Sequence, residues 1–497
     1  MGSAKVFPVR AGYVIICLMH LIVRGTRHSR TAAANGMTDQ ETKQKLLYDL
    51  QENPPAARTL VYALQWLVFT LANLAVVPLV LGRALQLDAA GIASLAQRTL
   101  FFTGLASLLQ ILFGHRLPIM ESPSGMWWGV FITLAALAPG LGQSMALLRT
   151  DLEMGLILAG VVLVLIGSSR LIGSALKLFT PPVTGSVLIL LSLQLSGTLV
   201  KGMLGAGPGS PDVDLRAMFL SAVVVAVVFW ASLKGRPFVR SVAVLVGIAA
   251  GWLLALPLQM APPAPWAGMG LIQWPSLFAW GRPTFDAGIV VTCVLTGLLV
   301  LSNLVASVLA MERTIGREAS RRVYDRGVAF NGLADILAGA GATVGVVPVS
   351  AGAAMVGMTR VASRLPFMVF TVLMMILGLL PPVGAFLSSI PVPVGYSVLL
   401  VSFCQMVGFG LRDYLRLKLD NRDFYVVGFT LLFGTGAMFM PPAALAGLPA
   451  LFRYILGNGF IAGMLICILL EHVFLPARRF AARPAESSAE KKAASGN

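Results

Sequence analysis

Two proline-interrupted stretches within apolar sequence carry residue types that could bind a small polar ligand. Residues 117–128 read Leu-Pro-Ile-Met-Glu-Ser-Pro-Ser-Gly-Met-Trp-Trp, and residues 345–354 read Gly-Val-Val-Pro-Val-Ser-Ala-Gly-Ala-Ala. Each pattern predicts an extended stub followed by a helix start, at Ser124-Gly125 and at Ser350-Ala351. Free N–H groups at such helix starts suit an acceptor-rich ligand. Two kinked helices packed through small residues would give the same pattern.

Glu121 is the acidic residue best placed for chemistry, because it lies at the first predicted helix break. Acids inside a membrane are costly and are usually functional. Its carboxylate could accept from the N–H groups of a ligand such as a nucleobase, or take up a driving proton. The alternative is a pairing with Arg116 near the membrane rim. We expect Asp335 to bond to a neighbouring helix or to cap backbone.

Polar side chains also interrupt two long apolar stretches. Gln65 lies in the first, and Ser302-Asn303 lie in the eighth. Hydrogen bonds between helices would satisfy these groups. We favour ligand contact for Gln65, Ser302 and Asn303, because the two stretches correspond in the repeat described below.

The composition places these residues in a membrane protein. Of 497 residues, 57% are hydrophobic and 12% are charged, with a mean hydropathy of +0.83. A spanning helix needs about 20 apolar residues, and about fourteen stretches suit a bilayer. They are 60–82, 93–113, 119–138, 154–172, 180–199, 216–233, 237–256, 286–311, 328–345, 349–359, 362–383, 391–410, 424–441 and 454–473.

The distribution of basic residues predicts the orientation. The connections on one side hold 17 Lys and Arg, against 6 on the other. Cytoplasmic loops carry such an excess, so we expect both termini in the cytoplasm and the chain in the plasma (inner) membrane. The net charge of +16 therefore reflects topology, and no nucleic-acid partner is expected.

The sequence contains a repeat. Residues 182–188, Pro-Val-Thr-Gly-Ser-Val-Leu, match residues 393–399, Pro-Val-Gly-Tyr-Ser-Val-Leu, at five of seven positions with an offset of 211. These segments open the fifth and twelfth stretches, so the offset is seven spans. An odd number inverts the second copy, which is the plan of many secondary transporters.

The scattered cysteines and histidines argue against metal, cofactor or enzyme chemistry. Cys17, Cys293, Cys404 and Cys467 form no CxxC motif or Cys/His cluster. No nucleophile and base pair is evident at matching depth. We therefore expect no enzyme, no metal and no cofactor other than a coupling ion.

Several motifs resemble the nucleobase:cation symporter-2 family, the xanthine/uracil permeases, over about residues 57–475. They lie at 62–66, 116–118, 180–185, 331–332, 358–364 and 390–394. Further matches at 114–116, 119–121, 126–129 and 388–393 are similar to a divergent branch of purine permeases.

The resemblance implies an all-α polytopic membrane protein with fourteen transmembrane segments as two inverted seven-span repeats, and short strands at broken spans 3 and 10. It also implies a homodimer. The implied domains are an N-terminal cytoplasmic extension at 1–56, a core of spans 1–4 at 57–178 and spans 8–11 at 286–385, a gate of spans 5–7 at 179–285 and spans 12–14 at 386–475, and a disordered cytoplasmic tail at 476–497. The apolar run at 12–23 is too short to cross a bilayer, so residues 1–36 are expected to be an upstream extension.

The departures from the family are informative. Members typically carry a carboxylate in span 8, where Ser302 stands here, and Glu or Gln followed by Asn in span 10, where Ala351-Gly352 stand. Trp66 replaces the histidine common in span 1. Glu121 offers the carboxylate near the same helix breaks.

We therefore predict a secondary transporter that imports a purine or related base, with a proton rather than sodium as the coupling ion and Glu121 as the coupling or base-binding acid. Backbone at Ser124, Gly125, Ser350 and Ala351, with Gln65, Ser302 and Asn303, would complete the site. Two alternatives stay open. One is an anion carrier of the same architecture, and the other is a base-binding sensor whose transport has decayed.

Overall fold

The structure is a computed structural model that describes residues 46–206, 212–236, 239–240, 242–262, 270–445 and 447–476. The predicted extension at 1–36 and almost all of the predicted tail, 477–497, lie outside these residues.

The first seven predicted spans are all present as helices or as a strand followed by a helix. Their elements are α1 (Ala56–Leu74), α2 (Val77–Ala84), α3 (Ala89–Leu112), β1 (Glu121–Pro123), α4 (Gly125–Leu137), α5 (Met145–Ser168), the short α6 (Ile172–Leu176), α7 (Pro181–Met203), α8 (Leu215–Lys234) and α9 (Ala243–Ala255).

The second seven follow the same plan, again with a strand and a short helix as the third unit. They are α10 (Ala287–Ile315), α11 (Arg321–Ala340), β2 (Val346–Pro348), α12 (Ala351–Thr359), α13 (Arg364–Gly378), α14 (Pro381–Ser388), α15 (Val392–Tyr414), α16 (Asn421–Met438), α17 (Ala450–Gly457) and α18 (Gly459–Leu469). Within the described ranges, seven helical stretches are long and apolar enough to cross a membrane by themselves. The remaining spans are shorter, broken or more polar.

Three predicted spans are interrupted within the ranges given above. Span 1 has a short turn between α1 and α2, because Pro78 cannot donate to the carbonyl of Leu74, but Ala56–Ala84 still forms one apolar stretch. Span 11 bends by 80° between α13 and α14, which begins at Pro381. Span 14 breaks at Asn458, whose side chain caps α18 by accepting from Ile461 N at 3.3 Å.

The two copies of the repeated motif lie in helices that run in opposite directions. Gly185, near the start of α7, lies against Gly410 near the end of α15. Gly202, near the end of α7, lies against Tyr396 near the start of α15. This antiparallel packing agrees with the inversion predicted from the odd number of spans between the copies.

The third units of the two halves meet as a two-stranded antiparallel sheet. β1 pairs with β2 in the register Glu121 with Pro348, Ser122 with Val347, and Pro123 with Val346. All six strand residues are buried. The prediction of short strands at broken spans 3 and 10 is therefore confirmed.

A buried ion cluster fixes the start of α16 to the end of the chain's last described helix. Arg422 donates to Asp423 Oδ1 at 2.9 Å, to the Glu471 carboxylate and to the Leu475 carbonyl at 2.7 Å, and its side chain is 7% exposed. A planar guanidinium can serve three such acceptors together.

We expect Arg422→Lys to lower the free energy of unfolding by about 1.5–3 kcal/mol, because a single ammonium cannot reach all three acceptors and leaves charged hydrogen bonds unmade. Thermal unfolding of purified protein measures the change. The control is Arg416→Lys, since that side chain is 72% exposed where it pairs with Asp413. Equal loss in both variants would contradict a role for the cluster.

Candidate functional site

The site is built around the crossing of β1 and β2. Ser124 N donates to the Gly345 carbonyl, and Val349 N donates to the Met120 carbonyl, each at 3.1 Å. The two bonds are equivalent under one constant offset of 225 residues. The inverted halves therefore meet here around a local twofold relation, which places the start of α4 and the start of α12 at opposite ends of one strand pair.

Both predicted helix starts are present, but they are capped differently. The Ser124 hydroxyl is buried and accepts from Met126 N at 3.3 Å at the start of α4. Ser350 is exposed and makes no side-chain cap on α12. The N–H groups of Gly125, Ser350 and Ala351 donate to no described protein group. Three free donors therefore flank the strand pair.

Glu121 lies at the start of β1 with its side chain fully buried. Its N–H donates to Ser107 Oγ at 2.9 Å, whereas neither carboxylate oxygen has a hydrogen-bond partner among the described residues. The alternative pairing with Arg116 is not formed. Arg116 is exposed, and its carbonyl accepts from Arg364 Nε at 2.9 Å. Glu121 is therefore an acceptor held in place by its backbone with its carboxylate free.

Asp335 behaves as the sequence analysis predicted. Its carboxylate accepts from Val346 N at 3.0 Å and from Asn331 Nδ2 at 3.2 Å. Asp335 thus accepts a hydrogen bond from the N–H group of the first residue of β2, as Ser107 accepts one from Glu121, the first residue of β1. Its carboxyl group lies close enough to that of Glu121 to interact electrostatically.

The remaining predicted ligand contacts lie on the helices that hold the strands. Gln65 on α1 is half-buried and its Oε1 atom lacks a described partner. On α10, Ser302 donates to the Leu299 carbonyl at 2.8 Å, and half-buried Asn303 makes no side-chain hydrogen bond within the described ranges. None of these three side chains is hydrogen-bonded to the strand pair.

Two hydroxyls that the sequence analysis missed hold the strands in place. Thr70, five residues after Gln65, donates to Met120 Sδ at 3.1 Å. Ser307, five residues after Ser302, donates to the Pro348 carbonyl at 2.8 Å. They share the offset of 237 residues that relates Gln65 to Ser302, and this offset marks their role once the strand pair is known.

The site borders α15, which belongs to the other predicted domain. A methyl group added at Gly125 would lie 3.4 Å from Met406 Sδ. Trp128 packs edge-on against Phe403 with ring centroids 4.9 Å apart. Trp66, in contrast, packs against Phe367 at 5.1 Å, so this replacement for the family's histidine serves helix packing.

A cavity of about 310 Å³ lies away from the strand pair. Gln143, Asp151, Asp286 and Tyr454 are among its lining residues. Gln143 and Thr284 donate to Asp151 at 2.7 and 2.6 Å, and Tyr454 donates to Gln143 at 2.9 Å. These bonds join Gln143, Asp151, Thr284 and Tyr454 to one another, and the cavity is separate from the predicted site.

The inverted halves, the broken third units and the apolar helices define a multi-pass membrane protein with the inverted-repeat plan of secondary transporters. A family model described as "Permease family", that of the xanthine and uracil permeases, matches residues 57–443. The chain belongs to this family.

Three curated relatives are similar over nearly their whole length. The "Putative purine permease YwdJ" of Bacillus subtilis (strain 168) is 32% identical over 423 residues, which cover 84% of this chain and 96% of the relative. Uric acid permease PucK of the same organism is 26% identical, covering 86% and 97%. Xanthine permease XanQ of Escherichia coli (strain K12) is 26% identical, covering 87% and 94%.

Solved structures show the same fold in more distant proteins. The transmembrane domain of the cyanobacterial bicarbonate transporter BicA matches with a TM-score of 0.57 at 13% identity, over 84% of this chain and 98% of that domain. The inward-facing murine anion transporter Slc26a9 matches at 0.58 and 14% identity, over 84% and 69%.

Proposed function

We propose that this permease imports a purine or a closely related nucleobase by proton symport. The observation that carries the proposal is the Glu121 carboxylate, which is fully buried and has no hydrogen-bond partner among the described residues, in a strand pair that three free N–H donors flank. The names of the purine, uric acid and xanthine permeases among its relatives support the substrate class.

The donor and acceptor set of the site is complementary to an oxopurine. Such a base carries ring N–H groups beside carbonyl oxygens on one planar edge. Glu121 would accept from the ring N–H groups, and the N–H groups of Gly125, Ser350 and Ala351 would donate to the carbonyls. Gln65, Ser302 and Asn303 would contact the base from α1 and α10, since their half-buried side chains have hydrogen-bonding capacity to spare.

Glu121 is also the group we assign to energy coupling. A carboxylate that crosses the membrane interior as an ion is costly, whereas a protonated carboxyl group crosses with its base as a neutral unit. One carboxyl group with backbone donors offers a proton acceptor but few oxygen ligands for a sodium ion. We therefore favour a proton as the coupling ion.

Transport would occur by movement of the core, 57–178 and 286–385, against the gate, 179–285 and 386–475. Helices of the proposed core pack closely on one another, as at Gly160 and Gly332, and so do those of the proposed gate, as at Gly185 and Gly410. The contacts of Gly125 and Trp128 with α15 lie between the two units. We further propose a homodimer in the plasma membrane with both termini in the cytoplasm.

A ligand panel on purified protein tests the substrate class. We expect xanthine, uric acid and guanine to raise the thermal unfolding midpoint saturably, because a ligand that binds the folded state stabilises it. Sulfate and bicarbonate should give no shift. The opposite pattern would favour the anion carrier, whose architecture is that of BicA and Slc26a9.

A further inference from the structure

One face of α3 carries a continuous series of buried polar side chains. Thr99, Thr103, Ser107 and Gln110 follow one another at helical spacing, so they lie on one face of the helix. Their exposed fractions are 2% or less. From Thr99 to Gln110 this polar face extends about 16 Å along the helix. Apolar side chains could fill the same buried positions, so packing alone does not explain why this face is polar.

The middle of the polar face reaches Glu121. Ser107 Oγ accepts from Glu121 N at 2.9 Å. The Gln110 side chain lies beside the Glu121 carboxylate, and its amide donates to the Gly327 carbonyl at 3.0 Å. Thr103, one turn from Ser107, has a hydroxyl without a described partner.

The far end of the polar face leads to a buried acid and a buried base that are not paired. Arg98 on α3 is 4% exposed and Glu153 on α5 is 1% exposed. They interact electrostatically but form no ion pair within 4.0 Å. Arg98 Nε and Glu153 Oε2 lack described partners, while Glu153 Oε1 accepts from Trp280 N at 3.3 Å.

Between these ends, the hydroxyl of Thr99 is hydrogen-bonded to that of Thr343 at 2.8 Å. Buried atoms without a described partner thus occur at Arg98 and at Glu153, with which Arg98 interacts, at Thr103 farther along α3, and at Glu121, which is bonded to Ser107 of the same helix. Unpaired buried polar groups of this kind are what internal water molecules bind. Chains of acids, hydroxyls and water relay protons in pumps and transporters.

We propose that the polar face of α3 is a proton path between Glu153 and Glu121, separate from the route of the base. This inference rests on the proposed proton symport. In the predicted orientation Glu153 lies toward the outer surface. Glu153 takes a proton from external water and passes it along the hydroxyls and bound water. After the transfer Glu153 is again a carboxylate and Glu121 is a carboxylic acid.

Three other charged or titratable groups lie along the path. Arg98 faces Glu153, and Asp335 faces Glu121. His115 is buried beyond Gln110, with its Nδ1 atom accepting from Leu117 N at 3.0 Å. The base would instead enter at Gly125, on the side of the strand pair that borders Met406. Proton and base thus approach Glu121 from different sides.

The test is Thr103→Val in proteoliposomes, with Glu153→Gln as a second variant. Two rates are measured on each protein. One is exchange of radiolabelled xanthine against unlabelled xanthine without a gradient, and the other is accumulation driven by an inward proton gradient, with a trapped pH dye reporting proton entry. Thr292→Val is the matched control, since Thr292 is equally buried but donates to the Gly288 carbonyl of its own helix at 2.8 Å.

We expect exchange to stay within about twofold of wild type while proton-driven accumulation and dye response fall at least about tenfold. Thr292→Val should retain both. Equal loss of exchange and accumulation would show that the polar face is structural and would overturn the proposal, as would full accumulation in both variants. A wild type that exchanges xanthine but accumulates it only with sodium would also overturn it. A wild type without exchange would instead refute the proposed function itself.

Discussion

Replacing Glu121 with glutamine is expected to weaken xanthine binding by about 10- to 100-fold. A hydrogen bond to a charged group contributes about 1.5–3 kcal/mol, and each 1.4 kcal/mol is a factor of about ten in affinity. The amide keeps the size of the side chain but removes the negative charge and offers only one acceptor oxygen. Equilibrium binding of radiolabelled xanthine to purified protein measures the effect.

Glu318→Gln is the matched control, because it is the same substitution at an exposed glutamate. It should bind xanthine as the wild type does. Unchanged affinity in Glu121→Gln would remove Glu121 from the site, even if transport were impaired. Loss of affinity in both variants would point to a general effect of charge rather than to recognition at β1.

Replacing Gly332 with valine is expected to cost more than about 3 kcal/mol of stability and to abolish the folded protein in detergent. A Cβ atom at this position would lie 2.5 Å from the Gly160 carbonyl oxygen and 2.6 Å from Val164 N. Both are backbone atoms, so α5 and α11 would have to separate. Gly160→Val should behave alike, since its Cβ atom would lie 2.5 Å from the Gly332 carbonyl oxygen.

The yield of monodisperse protein in size-exclusion chromatography measures this effect. The control is Gly197→Val on α7, where an added Cβ atom meets nothing within 4 Å. A Gly332→Val protein with the yield and unfolding midpoint of the Gly197→Val protein would show that the two helices are not held by this close approach.

Most of the architecture could be predicted from the sequence, because bilayer spans and chain breaks have local sequence signatures. The repeat at 182–188 and 393–399 marked helices that the structure places antiparallel. The prolines at 123 and 348 marked the strands and the two helix starts. Breaks at Asn458 and between α1 and α2 were missed, because apolar runs of sufficient length continue through them.

The details of the site were less predictable. Single hydroxyls within apolar helices have no periodic pattern, so Thr70 and Ser307 gave no signal until their shared offset could be compared with the paired strands. The unformed contact between Glu121 and Arg116 depends on side-chain direction rather than on spacing. Ser350 looks like Ser124 in sequence, yet its helical backbone conformation keeps its hydroxyl from capping α12.

The fold alone does not select the substrate. BicA, a bicarbonate transporter, and Slc26a9, an anion transporter, share the architecture at 13% and 14% identity. Function resides in sites built on a fold. In this chain the unpartnered carboxylate at the strand crossing favours a ligand with N–H donors over an anion.

Uptake of radiolabelled purines into proteoliposomes with and without an inward proton gradient tests the central claim most directly. The account predicts that xanthine or a related purine accumulates above its external concentration only when the gradient is present, and that a protonophore abolishes the accumulation. Uptake of sulfate or bicarbonate in place of every purine, or saturable purine binding without accumulation under any gradient, would contradict it.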